Sequence, residues 1–357
     1  SYSRRPRTGI YLVDLKSAYK KKQMQGVFSR ELLSKVDEVL ANGNQVLFFQ
    51  NRKGYASFMQ CNSCGHSPEC PNCDVKLTFY QHRQALICHY CGFEEGIKRS
   101  CSVCKSDQID YKGIGVEQIQ MQLKELYPDH TIERFDRSSN SRKDSGMKII
   151  EAFNSNEIHM LVGTQVLSRG IDFLNVGLVA VVNVDQLLFN QDYRAHEWAF
   201  QRLIQLAGRA GRSDSVEGNA MLYAQSFDPH HPVLQWAVDY NLNAITSSEL
   251  NERIQFQYPP HVKIIRIQTK SKNFETNLRA AQYLVSAYKR IPGIIVLGPQ
   301  APAVSRIRNW YLQNIIIKIH KERNLLDLRK QLKRMENSFN AVGTFQGVRL
   351  AYHIDHI

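Results

Sequence analysis

The hydrophobic positions in the first two thirds of the chain follow two alternating patterns. Short, continuous apolar runs over 45–50, 158–163 and 178–184 are typical of strands buried inside a parallel sheet. Between them lie stretches with apolar residues three or four positions apart, which predict amphipathic helices. One such helix is predicted at 30–40, with Ser29 as its N-cap, and a second is predicted to end at Leu126. Two more are predicted at 145–153 and 191–206, and further strands at 131–135 and 219–225. The alternation predicts an α/β lobe with a parallel sheet, of the RecA type.

The last third of the chain has a different order of elements, which begins after a boundary at Tyr258-Pro259-Pro260. The pattern predicts strand, helix, strand, strand, helix and strand at 262–269, 274–290, 294–297, 312–319, 322–336 and 348–354. This βαββαβ order is the arrangement of ferredoxin-like α+β domains.

The predicted organisation has three parts. Residues 1–27 contain few large apolar side chains, which predicts an extended lead-in. Residues 28–240 are predicted to form the RecA-like lobe, interrupted by a cysteine-rich insertion at 61–104. Residues 241–357 are predicted to form a basic, ferredoxin-like domain.

Composition and charge narrow the range of functions. A chain of 357 residues is long enough for two or three domains, and its 43% hydrophobic content is enough to form their cores. No apolar run approaches the roughly 20 residues of a membrane helix, and the N-terminus lacks a signal-peptide core. We therefore expect a soluble, cytoplasmic protein without a membrane partner.

The net charge of +13 is unevenly distributed. Residues 1–60 carry 11 basic and 4 acidic side chains and residues 241–357 carry 18 and 7, whereas residues 105–240 carry 13 and 18. Two basic ends around an acidic middle suit a protein that grips a polyanion. Lysines that only keep surfaces soluble explain the mean charge but not this asymmetry.

All eight cysteines lie between residues 61 and 104, in four C-x-x-C pairs. Soft ligands in such pairs predict two tetrahedral zinc sites of four cysteines each. Disulfides are the competing interpretation, but a reducing cytosol and the two-residue gaps argue against them. The 14 residues between Cys73 and Cys88 fit a hairpin. The simplest pairing is an inner site of Cys70, Cys73, Cys88 and Cys91 and an outer site of Cys61, Cys64, Cys101 and Cys104. Four thiolates leave no position for a catalytic water, so both zinc sites are expected to be structural.

The stretch Q-L-A-G-R-A-G-R at 205–212 places Arg209 and Arg212 three residues apart among small residues. This spacing predicts both guanidinium groups on one side of a helical turn, where they can converge on one phosphate. Upstream, the strand at 158–163 ends in Gly163-Thr164-Gln165, a loop of the kind found at nucleotide sites between two α/β lobes. A tight, solvated basic turn is the alternative interpretation.

Other candidate phosphate contacts are basic or rich in glycine. Arg52 and Lys53 follow the strand at 45–50, at the edge where ligands of open α/β sheets gather, although either could be an ordinary loop cation. Gly113 and Gly115 precede a helix whose free backbone N–H groups could bind a DNA phosphate.

In the C-terminal domain, the second predicted helix turns a basic face outward that contains Arg329, Lys330 and Lys333. Nearby, the segment R-I-R-N-W-Y at 306–311 mixes cations with aromatic side chains, as nucleic-acid-binding surfaces do. A solvated charged face is the alternative to DNA contact.

Two motifs of ATP-hydrolysing motors, G-x-x-x-x-G-K-[ST] and D-E-x-[HD], do not occur in the sequence. Because the chain also begins without Met, we expect it to be part of a longer protein whose N-terminal lobe holds ATP and Mg²⁺. The chain alone is expected to hydrolyse no ATP.

Taken together, these features resemble the PriA family of bacterial replication-restart DNA helicases, within superfamily 2. The resemblance runs from about Phe28 to Ile357. It rests on the eight cysteines and on N-R-K-G-Y at 51–55, G-I-G-V-E-Q at 113–118, G-T-Q-V-L-S-R-G at 163–170, Q-L-A-G-R-A-G-R at 205–212, Y-P-P at 258–260 and V-L-G-P at 296–299. The segment at 306–311 departs from the family, which usually has a Gly-rich basic turn there.

The resemblance implies a nucleotide site that is shared between two lobes. Arg209 and Arg212, with Gln205 beside them, would meet the γ-phosphate of ATP held by the other lobe. Gly170 and Asp172 would lie at the nucleotide, with Asp172 near its ribose.

The resemblance also implies contacts with DNA and with other proteins. Thr164, Gly113 and Gly115 would face the tracked DNA strand. The zinc segment would help to open duplex DNA and to dock primosome proteins. The resemblance also implies the two sets of zinc ligands given above. The C-terminal domain would bind branched DNA and single-stranded DNA-binding protein.

The sequence therefore predicts the C-terminal part of an ATP-dependent 3′-to-5′ DNA helicase that recognises stalled or branched forks and assembles the primosome for replication restart. Its expected cofactors are two zinc ions, ATP and Mg²⁺, and its expected location is the bacterial cytoplasm, associated with the nucleoid. The alternatives are a non-enzymatic, zinc-stabilised scaffold that binds nucleic acid or assembles partners, and another superfamily 2 motor acting on RNA.

Overall fold

The computed structural model divides the chain into two compact units. The first comprises residues 1–56 and 113–249, and the second comprises residues 57–112 and 250–357. The residues that the structure describes are 8–51, 58–61, 63–80, 85–88, 90–98, 100–112, 115–135, 143–164, 173–189, 192–211 and 220–354.

The strands in chain order are β1 (Gly9–Asp14), β2 (Met24–Gln25), β3 (Phe28–Ser29), β4 (Gln45–Phe49), β5 (Phe58–Cys61), β6 (Thr78–Tyr80), β7 (Ala85–Ile87), β8 (Glu94–Gly96), β9 (Ile109–Lys112), β10 (Ile132–Phe135), β11 (Met160–Gly163), β12 (Val176–Val181), β13 (Met221–Ser226), β14 (Val262–Ser271), β15 (Ile294–Gln300), β16 (Arg306–Ile307), β17 (Trp310–His320) and β18 (Arg349–Ile354). The helices are α1 (Leu15–Lys20), α2 (Arg30–Ala41), α3 (Val116–Leu126), α4 (Lys143–Asn154), α5 (Asp185–Leu188), α6 (Ala195–Ala207), α7 (Pro232–Val238), α8 (Leu242–Gln255), α9 (Phe274–Tyr288) and α10 (Leu325–Asn340).

The first unit is built on a six-stranded parallel sheet with the strand order β1-β13-β12-β4-β11-β10. Alternate residues of β4 enter two separate cores, because successive side chains of a strand point to opposite faces. Leu47 and Phe49 join the core that contains Leu203 of α6, whereas Val46 and Phe48 join the core that contains Leu32 of α2. Both faces of the sheet are therefore covered, and the predicted parallel α/β lobe is confirmed.

The N-terminal segment differs from the prediction of an extended lead-in. Residues 9–14 form β1, which pairs in parallel with β13 at the edge of the sheet. Asp14 then caps α1 by accepting a hydrogen bond from the Ser17 N–H at 3.0 Å. Ile10 and Val13 are buried, so this short segment contributes to the cores of the first unit.

Helix α8 was also not predicted, because its apolar residues do not fall on one face. Its buried residues are Ile245 and Glu249, while Leu242, Leu250 and Ile254 are exposed. Such a helix lacks the apolar stripe by which surface helices are usually identified.

The C-terminal part of the second unit is an antiparallel sheet with the order β15-β17-β14-β18, with β16 pairing beside β17. In the order of the chain these are strands two, three, one and four of a βαββαβ motif, so the predicted ferredoxin-like fold is confirmed. Helices α9 and α10 cover one face of the sheet, where Ile267 and Ile315 pack with Leu284 and Leu328.

The cysteine-rich segment lies in the same compact unit as this C-terminal sheet, although it interrupts the chain of the first unit. Antiparallel pairing of β5 with β9 closes the segment at its base. The predicted hairpin between Cys73 and Cys88 is present as β6 and β7, and β8 extends it to three strands. Among the described residues, no helix is long and apolar enough to cross a lipid bilayer.

Candidate functional site

Two neighbouring strands of the parallel sheet end at buried polar residues. Gly163 of β11 and Phe49 of β4 are register partners, and the Gln50 N–H donates to the Gly163 carbonyl at 3.0 Å. Beyond these strand ends, Asn51 is 4% exposed and Thr164 is 5% exposed. The structure thus brings the predicted Thr164 to the carboxyl edge of the sheet, where ligands of open α/β folds bind.

The glycine-rich stretch that carries Arg209 follows the end of α6. The helix ends at Ala207, and the N–H groups of Arg209 and Ala210 donate to carbonyls three residues earlier. Gly211 then adopts left-handed backbone, with φ of 72°. The α-helix has therefore ended before Arg209, and the predicted convergence of Arg209 and Arg212 stays a prediction, because Arg212 lies outside the described residues.

The side chains at this helix end differ in exposure. Gln205 is exposed in the last turn of α6, whereas Arg209 is 8% exposed. An arginine guanidinium is not deprotonated in proteins and so stays charged when it is buried. Arg209 can therefore act as a positioned cation, which is the property that its predicted role requires.

Several predicted site residues lie outside the part of the chain that the structure describes, and their roles stay predictions. They are Arg52, Lys53, Gly113, Gly170, Asp172 and Arg212. Gly115 is described and forms the N-cap of α3 with extended backbone. In the first turn of that helix, Glu117 pairs with Arg134, so an anion at the helix start would meet a nearby carboxylate.

The eight cysteines gather into the two predicted sets of four. Within each set, the sulfur atoms lie within 4.8 Å of one another. The Sγ–Sγ distance is 3.5 Å for Cys61 and Cys104, 3.7 Å for Cys64 and Cys101, and 3.5 Å for Cys70 and Cys91. Tetrahedral zinc with bonds of about 2.3 Å to sulfur requires sulfur atoms roughly 3.8 Å apart, so both sets fit zinc.

The backbone around the four C-x-x-C pairs repeats one pattern. The N–H of the first cysteine of each pair donates to a carbonyl five residues later, on His66, Val75, Phe93 and Ser106. In three pairs, the residue after the second cysteine has left-handed backbone and donates its N–H back to the first cysteine. These residues are Gly65, Gly92 and Lys105, with φ of 74°, 78° and 61°. The recurring turns hold each pair of sulfur atoms in position to bind one ion.

A bound cation would offset the effect of burial on the thiols of the inner set. Burial raises the pKa of the Cys70 and Cys73 thiols, because it disfavours the charged thiolate. A divalent ion reverses this preference by supplying the opposite charge. When bound, zinc would hold the turns of the segment together, and four sulfur ligands would leave no position for water.

In the C-terminal domain, the predicted basic face of α10 is exposed. Arg329, Lys330 and Lys333 all point outward, and Lys333 forms an ion pair with Glu336 at 3.1 Å. Leu328 and Phe339 fix the opposite face of the helix in the core. The face is therefore available to a polyanion.

Sequence reasoning missed one group of cations in this domain. The guanidinium of Arg349 lies 4.7 Å from the centre of the Trp310 ring, and the Lys270 ammonium lies 5.7 Å from it. Lys270 and Arg349 are register partners on β14 and β18. They are 79 positions apart along the chain, so only the strand pairing brings them together.

Two family models match separate parts of the chain. The sequence profile of the PriA DNA helicase Cys-rich region domain matches residues 70–95, and that of the primosomal protein N C-terminal domain matches residues 254–355. Among solved structures, RecG bound to a three-way DNA junction is similar over 69% of this chain and 22% of that chain, with 14% identity and a TM-score of 0.35.

Relatives named replication restart protein PriA are similar over most of the chain. That of Bacillus subtilis is 32% identical, with 90% of this chain and 40% of the relative covered. That of Haemophilus influenzae is 35% identical, with 92% and 44% covered, and that of Thermotoga maritima is 31% identical, with 91% and 42% covered. The chain spans less than half the length of these relatives and matches their C-terminal portion. The chain therefore belongs to the PriA family, as the counterpart of the C-terminal portion of its members.

Proposed function

We propose that the chain is the C-terminal part of an ATP-dependent 3′-to-5′ DNA helicase that restarts replication at stalled or branched forks and assembles the primosome. The observation that carries this proposal is the similarity to PriA proteins over about nine tenths of the chain, including the cysteine-rich segment. In this proposal, the parallel α/β unit is the second motor lobe.

The proposed catalytic contribution of this lobe is the cation of Arg209, with Gln205 beside it and Arg212 further along. The buried Arg209 meets the γ-phosphate of ATP, while Mg²⁺ and most of the triphosphate are held by an N-terminal lobe. Gly170 and Asp172 contact the nucleotide from this side. An arginine that stabilises charge in the transition state typically accelerates hydrolysis by roughly 10³- to 10⁵-fold.

DNA contacts are proposed in each unit separately. Thr164, at the carboxyl edge of the parallel sheet, contacts the tracked strand together with Gly113, Gly115, Arg52 and Lys53. The basic face of α10 contributes phosphate contacts whose strength falls with salt concentration. Single-stranded DNA-binding protein and primosome proteins are the proposed protein partners of the zinc segment and the C-terminal domain.

The experiment that tests the proposal compares the 357-residue chain with the same chain joined to an N-terminal lobe that carries the phosphate-binding loop. DNA-stimulated ATP hydrolysis and unwinding of a duplex with a 3′ single-stranded tail are expected only for the joined protein. Binding of DNA without stimulated hydrolysis by the joined protein would favour a scaffold. Competition between DNA and RNA at fixed salt separates a DNA motor from an RNA motor.

A further inference from the structure

A tight turn of the C-terminal domain contacts the cysteine-rich segment within the second unit. Strands β16 and β17 pair through Ile307 and Trp310, which leaves a two-residue loop of Arg308 and Asn309. Both loop residues have left-handed backbone, with φ of 52° and 61°. This is the type I′ geometry of tight hairpins, and it is unusual for arginine, whose side chain disfavours positive φ. We refer to residues 305–309 as the docking turn.

The docking turn replaces a hydrogen bond that the other cysteine pairs make internally. After Cys73, the Asp74 N–H donates to the Arg306 carbonyl of the docking turn at 2.9 Å. The equivalent N–H groups of Gly65, Gly92 and Lys105 donate to the first cysteine of their own pair. The Cys70–Cys73 pair is therefore the one of the four whose backbone turn is completed by the C-terminal domain.

The docking turn also reaches a sulfur ligand directly. The Arg308 N–H donates to Cys73 Sγ at 3.2 Å. The Arg308 Nε donates to the Tyr90 carbonyl at 3.1 Å, inside the pair formed by Cys88 and Cys91. The turn thus contacts both cysteine pairs of the inner cluster. A zinc-bound thiolate is a stronger hydrogen-bond acceptor than a neutral thiol, so a bound ion strengthens the contact to Cys73.

Side chains of the docking turn form further hydrogen bonds to residues 71–74. Arg306 Nε donates to Asp74 Oδ1 at 2.8 Å, and Ser305 Oγ donates to the other carboxylate oxygen of Asp74 at 2.5 Å. Asn309 contacts Asn72 through both its side chain and its backbone N–H, at 3.1 and 2.8 Å. Arg306 also donates to the Pro71 carbonyl. Ile307 packs against the buried cluster that includes Cys70, Cys73 and Cys88.

The outer site of Cys61, Cys64, Cys101 and Cys104 can be compared with the inner site for contacts with the C-terminal domain. Its described polar contacts come from the cysteine-rich segment itself: Ser63 with Ser106 at 2.8 Å and Ser102 with His66 at 3.1 Å. A four-thiolate zinc site carries a net charge of about −2, and the docking turn brings two arginines to the inner site. The two sites therefore differ in their dependence on the C-terminal domain.

We propose that the docking turn of the C-terminal domain forms part of the inner zinc site, so that zinc binding to Cys70, Cys73, Cys88 and Cys91 and docking of the turn stabilise each other. Zinc then fastens the cysteine-rich segment to the C-terminal domain, in addition to folding the segment. Arg306 and Arg308, which in the sequence indicated a nucleic-acid-binding surface, both form hydrogen bonds in this contact. The proposal does not depend on the helicase assignment.

The test uses the complete 357-residue chain loaded with two zinc ions. Zinc release to an excess of a chromophoric chelator is followed in the parent chain and in the Asp74→Ala, Arg306→Ala and doubly substituted chains. We expect the inner site to release its ion roughly tenfold faster in the variants, while the release rate of the outer site is unchanged. The reason is that hydrogen bonds from surrounding residues to metal ligands typically contribute about 10- to 100-fold to metal affinity. The double substitution should add little to either single one, because both remove the same pair.

Alkylation during release, mapped by peptide mass, identifies the cluster that opens. We expect Cys70, Cys73, Cys88 and Cys91 to react first in the variants. Arg279→Ala, which removes an arginine that is 76% exposed on α9, is the matched control and should behave like the parent chain. Arg308→Gly keeps the N–H donor to Cys73 and favours the left-handed turn but removes the hydrogen bond to Tyr90, so its zinc release should accelerate less than that of Arg306→Ala.

The reverse direction is tested by hydrogen exchange. Removal of zinc by chelation should accelerate exchange of the Asp74 and Arg308 amides, while the amides of the β14–β17 pairing keep their protection. Equal acceleration of both ions in the variants, or release rates unchanged from the parent together with unchanged exchange of these amides after zinc removal, would overturn the proposal.

Discussion

Two glycines in the G-R-A-G-R stretch are predicted to respond in opposite ways to substitution by alanine. Gly211 has φ of 72°, and its N–H donates to the Val176 carbonyl at 3.0 Å, which directs the chain from the end of α6 towards the sheet. Gly208 has φ of −68°, which any residue adopts. The same chemical change therefore meets two different backbones within four residues.

The magnitudes follow from the surroundings of each position. A side chain with left-handed backbone costs about 1–2 kcal/mol. An alanine Cβ at Gly211 would also lie 2.7 Å from the Ala220 Cβ, well inside the usual contact distance, and overpacking of this kind costs about 1–3 kcal/mol. We expect Gly211→Ala to destabilise the first unit by roughly 2–5 kcal/mol in total.

At Gly208, the nearest atom to an added Cβ is the Ile204 carbonyl oxygen at 3.6 Å, an ordinary contact. Alanine also restricts the unfolded chain, which stabilises a protein by about 0.4–1 kcal/mol where the native backbone is compatible. Gly208→Ala is therefore expected to be neutral or slightly stabilising, and it is the matched control.

Tryptophan fluorescence during urea unfolding can follow the first unit alone. Trp198 and Trp236 lie in that unit and Trp310 lies in the other, so the measurement is made in a Trp310→Phe background. The unfolding midpoint should fall for Gly211→Ala and stay or rise for Gly208→Ala. Equal midpoints for the two variants would refute the reasoning from backbone geometry.

Three further predictions concern metal, nucleic acid and pH. Elemental analysis should find two zinc ions per chain, and Cys73→Ser should retain one, since the other cluster shares no ligand with it; complete loss of both ions would contradict two independent sites. Replacing Arg329, Lys330 and Lys333 by alanine should weaken DNA binding and reduce the slope of log affinity against log salt by roughly 2 to 3, whereas Arg279→Ala should change little; an unchanged slope would remove this face from the DNA contacts. Burial lowers the pKa of His231, with a further contribution from His196, and the His231 Nδ1 accepts a hydrogen bond from the Val233 N–H at the start of α7. Because the pKa of His231 in the folded state lies below the unfolded value of about 6.5, the neutral imidazole stabilises the fold above that pH. This stabilisation is lost as the pH falls through the pKa of the folded state. His231→Asn should keep the cap and flatten the decrease in stability between about pH 7.5 and 5.5; an equally steep decrease in the variant would assign the titration to another group.

Periodicity was sufficient to predict the fold wherever a segment has one clear hydrophobic pattern. The buried strands β4, β11 and β12 are continuous apolar runs, and the βαββαβ order of the C-terminal domain is visible in the sequence. The edge strand β1 was missed because its short apolar stretch lies among basic and polar residues. Helix α8 was missed because its few buried residues, among them Glu249, form no apolar stripe.

The metal ligands could be predicted because their chemistry is local, with each pair carried by one backbone turn. The contacts of the docking turn could not, since they join positions more than 200 residues apart, such as Asp74 and Arg306. Residues 306–311 contain the cations and aromatic side chains of a nucleic-acid surface, and only the fold shows that Arg306 pairs with Asp74. The backbone at Arg209 was equally ambiguous, because the sequence does not reveal that the helix has already ended at Ala207.

The central claim is that this lobe supplies an arginine to ATP held by another lobe. The most direct measurement is DNA-stimulated ATP hydrolysis by the joined protein with Arg209→Ala, alongside nucleotide binding by the same variant. The account predicts a loss of roughly 10³-fold or more in turnover with ATP affinity largely retained. Turnover equal to that of the parent protein would contradict it.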